Sequence, residues 1–457
     1  MEDNSTHKQQ AVVIGASISG LLAARVLSRH FAHVTIVERD TLPALGNPSS
    51  EPRKGVPQGR HLHVLLAHGL DLLETLFPGL TEELQARGAN VGDLSESVRW
   101  FSDGVYTRNF HSGLVGVQVS RPLLESTILR RVNVLPNVTI LDNHAASGLI
   151  TASAVAGDKK RVTGLTVVDR SKSEPIEQRL SSDLLVDAGG RGTRSLAWLE
   201  SIGYPLPEEE LIKVDLTYTT RIFKRLPEHA QGRSPIIILP GKKCRRGAAM
   251  LAVEGGRWIV GLSGMLGDSA PPDLPGFIEY ARSLDAPDCY DIIKNAEPEG
   301  EANLYKFPVS QRRHFEKLSN FPEGFLLVGD ALCSFNPIYG QGMTAAASEA
   351  AVLDEMLQSA SNTLRPGFAR RFFRRASSLL DSPWSIAAGS DLAYPEVEGK
   401  RALGMGLIQS YLNRLLRVSS EDSEVNLAFQ KVTNLIAPPP SLFHPRIVLR
   451  VLRSRLS

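Results

Sequence analysis

Residues 11–40, AVVIGASISGLLAARVLSRHFAHVTIVERD, constrain this chain more than any other stretch. A short apolar run, Ala11–Ile14, meets a Gly/Ser turn, then a helical stretch rich in Ala and Leu, then a second apolar run, Val34–Val37. Strand, helix and strand within about 30 residues is the length of a βαβ unit, which commits this region to a parallel sheet with a helix crossing over it. The turn Gly15-Ala16-Ser17-Ile18-Ser19-Gly20 occupies the position of a dinucleotide fingerprint. Gly15 permits the tight turn, Gly20 lets the helix pack closely on the strand, and the middle position must admit a diphosphate to the free N–H groups of the helix N-terminus. Ser17 stands at that middle position in place of glycine; its small hydroxyl still fits and can donate to a phosphate. Glu38 lies 18 residues after Gly20, at the end of the second strand, where a carboxylate accepts from adenosine ribose hydroxyls. An ordinary strand–turn–helix and a solvated strand-end acid are the bland alternatives, and the two features occurring together weigh against both.

A second, distant motif narrows the choice of dinucleotide. Gly329-Asp330-Ala331 closes a buried strand, and FNPIYGQGM at 335–343 leads into an Ala-rich helix. Gly340 and Gly342 expose backbone N–H groups at that helix's N-terminus, suited to the flavin pyrimidine edge, where negative charge collects on reduction. Asp330 is placed to accept from a sugar or ribityl hydroxyl. A nicotinamide dehydrogenase has no use for this second motif, whereas a flavin spanning two halves of a domain has.

Between the motifs the pattern changes. Residues 41–60 read as a long loop and 63–76 as a helix ended by Pro78-Gly79; strand-like runs fill 160–187 and, with Gly, Pro and charged turns, 213–264. Beyond 365 the pattern is helical to the break at Pro438–Pro440, and a last basic helix spans about 442–456. The expected architecture is α/β: a discontinuous Rossmann-type FAD-binding domain (9–80, 115–200 and 300–380), an inserted, mostly antiparallel β-sheet substrate domain (81–114 and 201–299) and a C-terminal helical region (381–457). Tyr218, Met250 and Trp258 are the expected substrate lining of the inserted sheet.

Composition excludes more than it assigns. Fifty-one Lys and Arg against 49 Asp and Glu leave +2, no electrostatic case for nucleic acid. Three cysteines without CxxC spacing argue against a disulfide scaffold or a zinc site, and no metal is expected. The polar start MEDNSTHKQQ lacks a signal-peptide core, no run of about 18 apolar residues exists, and a cytoplasmic location is expected. No GxSxG accompanies a Ser/His/Asp set, which leaves nucleophilic hydrolysis without support. His61 and His63, two apart on a loop, read as groups packing near or bonding to the flavin rather than as metal ligands. The arginine clusters at 370–375 and 446–455 read as helices covering the core, with contact to a membrane surface as the minority alternative.

GASISG, ERD at 38–40, VSRPLL at 119–124 and GDA…P…GQG at 329–342 together resemble the FAD-dependent monooxygenases related to aromatic hydroxylases. The resemblance implies that Gly15, Ser17, Gly20 and Glu38 hold the ADP half of FAD, that Arg121 and Asp330 contact the cofactor, and that Gly340, Gln341 and Gly342 border the isoalloxazine. Arg60 corresponds to a flavin-side arginine. Two departures stand out. Asp187-Ala188-Gly189-Gly190-Arg191-Gly192 replaces the usual Ala-Asp-Gly, which puts direct use of NADPH in doubt, and Leu332-Cys333 stands where a histidine often follows Gly-Asp-Ala. Arg53–His63, FNPIYGQGM and Asp391–Pro395 are more closely similar to the flavin epoxidases of polyether-antibiotic biosynthesis, which act on alkenes of long polyketide chains. That similarity implies epoxidation of a carbon–carbon double bond in a hydrophobic polyketide- or terpenoid-like substrate through a C4a-hydroperoxyflavin, with O2 as co-substrate. Electrons would come from NAD(P)H directly or through a separate flavin reductase. Hydroxylation of an aromatic substrate and alkene reduction of the geranylgeranyl-reductase kind are the alternatives; Trp384-Ser385-Ile386 only faintly resembles a halogenase motif.

Overall fold

A computed structural model describes residues 10–43, 52–153, 160–172, 174–241, 244–359 and 364–454. Along the chain the elements that position the site are β1 (Gln10–Ile14), α1 (Ile18–Leu27), β2 (His33–Val37), α2 (Arg121–Asn133), β3 (Val138–Leu141), β4 (Leu184–Asp187), β5 (Glu209–Lys224), β6 (Ile236–Ile238), β7 (Arg246–Val253), β8 (Arg257–Gly264), β9 (Pro298–Arg313) and β10 (Phe325–Leu327). Then come α3 (Gly342–Ser359), α4 (Phe368–Asp391), α5 (Met405–Val418), α6 (Ser423–Thr433) and α7 (Pro445–Arg453).

Five strands form an all-parallel sheet in the order β10-β4-β1-β2-β3. β4 is buried at every position and β1 at its three central ones, as a sheet covered on both faces requires. One face packs against α1 and α3, both Ala-rich, so that these helices approach each other and the sheet closely. A three-stranded antiparallel sheet, formed by His144–Ser153, Lys160–Asp169 and Ile176–Ser181, extends this unit.

The second large sheet has eight strands, with β9-β5-β8-β7-β6 at its centre. All neighbouring pairs are antiparallel except β6 with Arg99–Ser102. The α/β class, the mostly antiparallel second sheet and the helical C-terminal region agree with the sequence expectation. One boundary differs: β9 is a 16-residue strand of the second sheet, so the segment expected to return to the FAD side at 300 does so only after Arg313. Two helices, Leu274–Arg282 and Asp288–Ile293, cover one face of that sheet and bury Trp258, Met250, Phe223 and Phe277 against it. Its opposite face borders a cavity. α5, α6 and α7 form a small cluster with its own core of Leu415, Val418, Val425, Val432, Leu442, Ile447 and Val451, closing the cavity from a third side. Among the described residues no helix is long and apolar enough to cross a membrane.

Candidate active site

A single continuous cavity of about 830 Å³ runs from the C-terminal edge of the parallel sheet to the second sheet and the α5–α6 pair. Its size lies toward the top of the range of about 300–1,000 Å³ for small-molecule sites. Gly15, Ser17, Glu38, Arg121, Ala188, Arg191 and Asp330 line one end, and Ile237, Ile238, Ala249, Leu412, Leu416 and Phe429 line the other.

The first end is built around the N-terminus of α1. Gly15 turns the chain at φ +96°, and a Cβ there would sit 2.8 Å from the carbonyl oxygen of Ala188. A Cβ on Gly20 would come within 1.9 Å of the Gly15 carbonyl oxygen, so any side chain would drive the helix off the turn. Ser17 is the N-cap residue but does not cap the helix. Its hydroxyl donates to Glu125 Oε2 (3.1 Å) and accepts from Arg121 Nη2 (3.0 Å). The first amides of α1 therefore keep their hydrogen-bonding capacity, and with the helix dipole they form an anion site. Arg121 also donates through Nε to Glu125 Oε2 (3.0 Å), and Arg53 reaches Glu125 Oε1 from the opposite side. Burial pushes the Glu125 carboxyl up, but Arg121 and Arg53 outweigh it and hold it below the ordinary value. Two arginines share the Glu125 carboxylate beside the helix terminus. Arg53 Nη1 is buried without a hydrogen-bond partner, 3.4 Å from Glu38 Oε2. Glu38 is itself held by the amides of Ala16 (2.7 Å) and Asp40 (2.9 Å), which fix a carboxylate at the cavity wall.

Asp330 projects into the cavity from the turn after β10 and makes no hydrogen bond to the described residues. Protein encloses it on every other side, and that burial raises its carboxyl despite Arg191 and Arg121 nearby. Its turn is held from below by Glu349 of α3, whose Oε2 accepts from the amide of Gly329 (2.5 Å). Fully buried, with Oε1 unpartnered, Glu349 is pushed up to about 8. Gly340, Gln341 and Gly342 line the cavity at the N-terminus of α3, and a Cβ on Gly342 would meet open space. The Gln341 side chain is tied to the carbonyl of Thr433 (3.3 Å) at the end of α6. Asp391, at the end of α4, anchors the preceding loop: its Oδ1 accepts from Asn336 Nδ2 (2.8 Å) and the Tyr339 hydroxyl (2.9 Å). Burial raises Asp391 to about 7.

These features pass the test of fit for FAD. An uncapped helix N-terminus with adjacent arginines suits a diphosphate, a buried carboxylate at the end of β2 suits a ribose, an unpartnered carboxylate suits a hydroxylated chain, and an open glycine turn at a second helix N-terminus suits the ring.

Gly15, Ser17, Glu38, Arg121, Asp330, Gly340, Gln341 and Gly342 thus surround one cavity, and Gly20 supports the turn from behind. Three expectations are corrected. Arg60 is exposed at the end of a 3-10 turn and does not line the cavity; Arg53 of the same loop braces the α1 turn from behind, donating to the Ala16 carbonyl (2.8 Å), without lining the cavity. Met250 and Trp258 do not line it either, since both are fully buried on the helix-covered face of the second sheet, where Arg225 lies 5.0 Å over the Trp258 ring. Tyr218 does line it, packed edge-on to His61 with centroids 4.7 Å apart. The two histidines part company. His61 is buried beside Tyr218 and bonds Thr220 Oγ1 (2.8 Å), whereas His63 faces the cavity and bonds the His61 carbonyl (2.9 Å). Burial lowers them to about 4 and about 3 respectively, so both are neutral near pH 7. No cluster of metal-ligating side chains occurs among the described residues. Asp187, one place before the family's usual acid, is consumed internally by the Gly189 amide (2.7 Å) and the hydroxyls of Thr193 and Ser195.

Sequence reasoning assigned no role to Arg53, Glu125, Arg191, Glu349 or Asp391. Glu125 was the most accessible signal, four residues after Arg121 on the same helix, the spacing of an ion pair.

The architecture is the fold of FAD-dependent monooxygenases. No family model matches the chain. It is 32% identical over 396 residues to Protein Rv3254 of Mycobacterium tuberculosis, covering 85% of this chain and 81% of that protein, and it belongs to that protein's family. It is 23% identical to kynurenine 3-monooxygenase of Cytophaga hutchinsonii, over 96% of this chain and 93% of the relative. Among solved structures it shares the fold of PqsL, a probable FAD-dependent monooxygenase from Pseudomonas aeruginosa (TM-score 0.59, 15% identity, 84% of this chain and 96% of that one). It shares it too with p-nitrophenol 4-monooxygenase PnpA from Pseudomonas putida (TM-score 0.64, 14% identity, 93% and 98%).

Proposed function

We propose that this chain binds FAD in the cavity described and inserts one oxygen atom from O2 into a carbon–carbon double bond of a hydrophobic small molecule. The carrying observation is the composition of the far wall: Ile237, Ile238, Leu239, Pro240, Ala249, Leu412 and Leu416 present aliphatic surface next to the open turn at Gly340–Gly342. When bound, FAD supplies the redox chemistry that activates O2. The protein's part is binding, orientation and exclusion of water. The α1 N-terminus with Arg121 would hold the diphosphate, Glu38 the ribose and Asp330 a chain hydroxyl, with Arg53 bracing the α1 turn from behind. The N-terminus of α3 places positive backbone potential beside the ring. Asp391 and Glu349, both behind the cavity wall, hold the two turns in place. The neutral imidazole of His63 at the wall adds no charge to a space that suits a greasy substrate.

Aromatic hydroxylation is the second reading. It is favoured by Trp100 and Phe429, which line the cavity as an edge-to-face pair with centroids 5.5 Å apart, a surface on which a ring can stack. Alkene and aromatic test substrates, incubated with reduced enzyme and isotopically labelled O2, separate the two. A labelled epoxide supports the first reading, and a labelled phenol replaces it with the second. Protein that purifies without flavin absorbance and binds no added FAD overturns both. Anaerobic mixing with NADPH, NADH and a flavin reductase in turn identifies the electron donor. Given that Asp187 is occupied by its own turn, slow direct reduction by either nucleotide is expected.

A further inference from the structure

The C-terminal helices carry a surface that the proposed chemistry does not use. Residues 400–457 hold nine Lys and Arg against three Asp and Glu, a net of +6 in a chain whose total is +2, so the remaining sequence is net acidic. The same segment supplies seven of the fifteen large apolar side chains exposed among the described residues: Leu403, Leu407, Ile408, Ile436, Phe443, Leu449 and Leu452. The other eight are spread over 115–379. Leu403 is fully exposed and Leu407 is 80% exposed.

Geometry joins Leu407, Phe443, Leu449 and Leu452 into one surface. Tyr411 of α5 stacks on Phe443 at a centroid distance of 4.9 Å, and its hydroxyl donates to the Leu442 carbonyl (2.6 Å). One turn on, Arg414 donates to the carbonyls of Val451 (2.7 Å), Leu452 (3.1 Å) and Ser454 (3.0 Å) at the end of α7. α5 and α7 are therefore fastened side by side. Leu407 continues the stripe of Tyr411 and Arg414 one turn toward the N-terminus, beyond the Phe443 contact. On α7, Ile447 and Val451 face the core while Leu449 and Leu452 face out, on the same side as Arg446 and Arg453. Of this rim, Arg446 shares Glu424 with Arg450, which also takes up Asp422, whereas Arg453 pairs with no acid among the described residues.

We propose that the outer face of α5 and α7 docks the protein on an anionic lipid bilayer, with Leu407, Leu449 and Leu452 entering the interface and the arginines meeting lipid phosphates. Apolar side chains ringed by basic ones on a helix surface match the headgroup–acyl boundary, and apolar burial and charge attraction add there. The segregation of net positive charge into this C-terminal segment, away from a net acidic body, is what selects an anionic bilayer over a second copy of the chain. The opposite face of α5, through Gln409, Leu412 and Leu416, is a wall of the cavity. One helix thus separates the proposed lipid surface from the active site.

The test uses the full-length flavoprotein, floated with vesicles of phosphatidylcholine alone and of phosphatidylcholine mixed with phosphatidylglycerol. Binding to the mixed vesicles, reduced by high salt and absent from the neutral ones, is expected. The triple substitution Leu407→Ser/Leu449→Ser/Leu452→Ser, all at exposed positions, should lower that binding by about tenfold or more, and Arg453→Glu by several-fold, while flavin content stays unchanged. Failure of the wild type to float with anionic vesicles, or unaltered binding of the triple variant, overturns the proposal. So does a concentration-dependent dimer, seen by sedimentation, that the triple variant abolishes, because the apolar face would then belong to a second copy. None of these outcomes bears on flavin binding or oxygen transfer, so the two proposals fail separately.

Discussion

The two large sheets contribute to the cavity in different ways. The parallel sheet offers only its C-terminal edge: Gly15, Glu38, Asp187 and the turn before Asp330 all follow the ends of strands, as ligand sites in open α/β sheets do. The eight-stranded sheet offers a face, and its residues Tyr218, Thr220, Ala249, Gly261 and Ser263 belong to strand interiors. At an edge, function depends on turns that few residues can form. On a face, it depends on which side of the sheet another element has already covered.

The sharpest way to break this comparison is a pair of glycine substitutions. Gly20→Val should abolish flavin binding and lower the yield of folded protein, because its Cβ would overlap the Gly15 carbonyl. Gly261→Val, on the cavity face of β8, adds a Cβ that would meet nothing closer than 3.7 Å. It should fold and bind FAD normally while raising KM for substrate, as flavin absorbance and steady-state kinetics will show. Equal loss of flavin in both would erase the distinction between edge and face.

Trp258→Ala comes next. On the helix-covered face it should destabilise the fold by about 3–5 kcal/mol in chemical denaturation, with kcat/KM of the folded fraction unchanged. A change in substrate preference would return Trp258 to the cavity. Asp330→Ala should weaken FAD binding by about ten- to a hundredfold, in line with loss of a charged hydrogen bond of about 1.5–3 kcal/mol, read by fluorescence titration; unchanged affinity would remove the role given to Asp330. A further effect concerns the support behind the edge. Asp391 titrates in the fold at about 7 instead of 3.8, because burial disfavours its charge. An acid with a raised folded pKa penalises the folded state once ionised in the unfolded one. Relative to Asp391→Asn, wild-type stability should therefore decline from about pH 4 to about pH 7 and level off above. Thermal melts of both proteins across that range check this, and parallel curves would refute it.

The same contrast governs what could be read from the sequence. Edge residues announced themselves: a glycine turn after an apolar run, an acid after the next, and a second glycine pair before an Ala-rich helix are local patterns with few meanings. The β-rich character of 213–264 was equally plain. Alternation along β7 and β8 shows that the two sides differ but not which one a helix will cover. Leu274–Arg282 and Asp288–Ile293 decided that, and they took Met250 and Trp258 with them. Long-range support was hidden for a related reason. Glu349 lies 20 residues from the amide it holds and Asp391 lies 52 and 55 from its two donors, and nothing local marks such pairs.

Ser17 has a further consequence. A residue able to cap α1 spends its hydroxyl on Glu125 and Arg121 instead, leaving the helix end to an outside partner. The empty chain is thus held below the stability its own sequence could reach, and whatever anion settles on those amides raises it in proportion to the logarithm of its concentration over its dissociation constant. The melting temperature of this protein is consequently a gauge of cofactor loading, readable without any substrate.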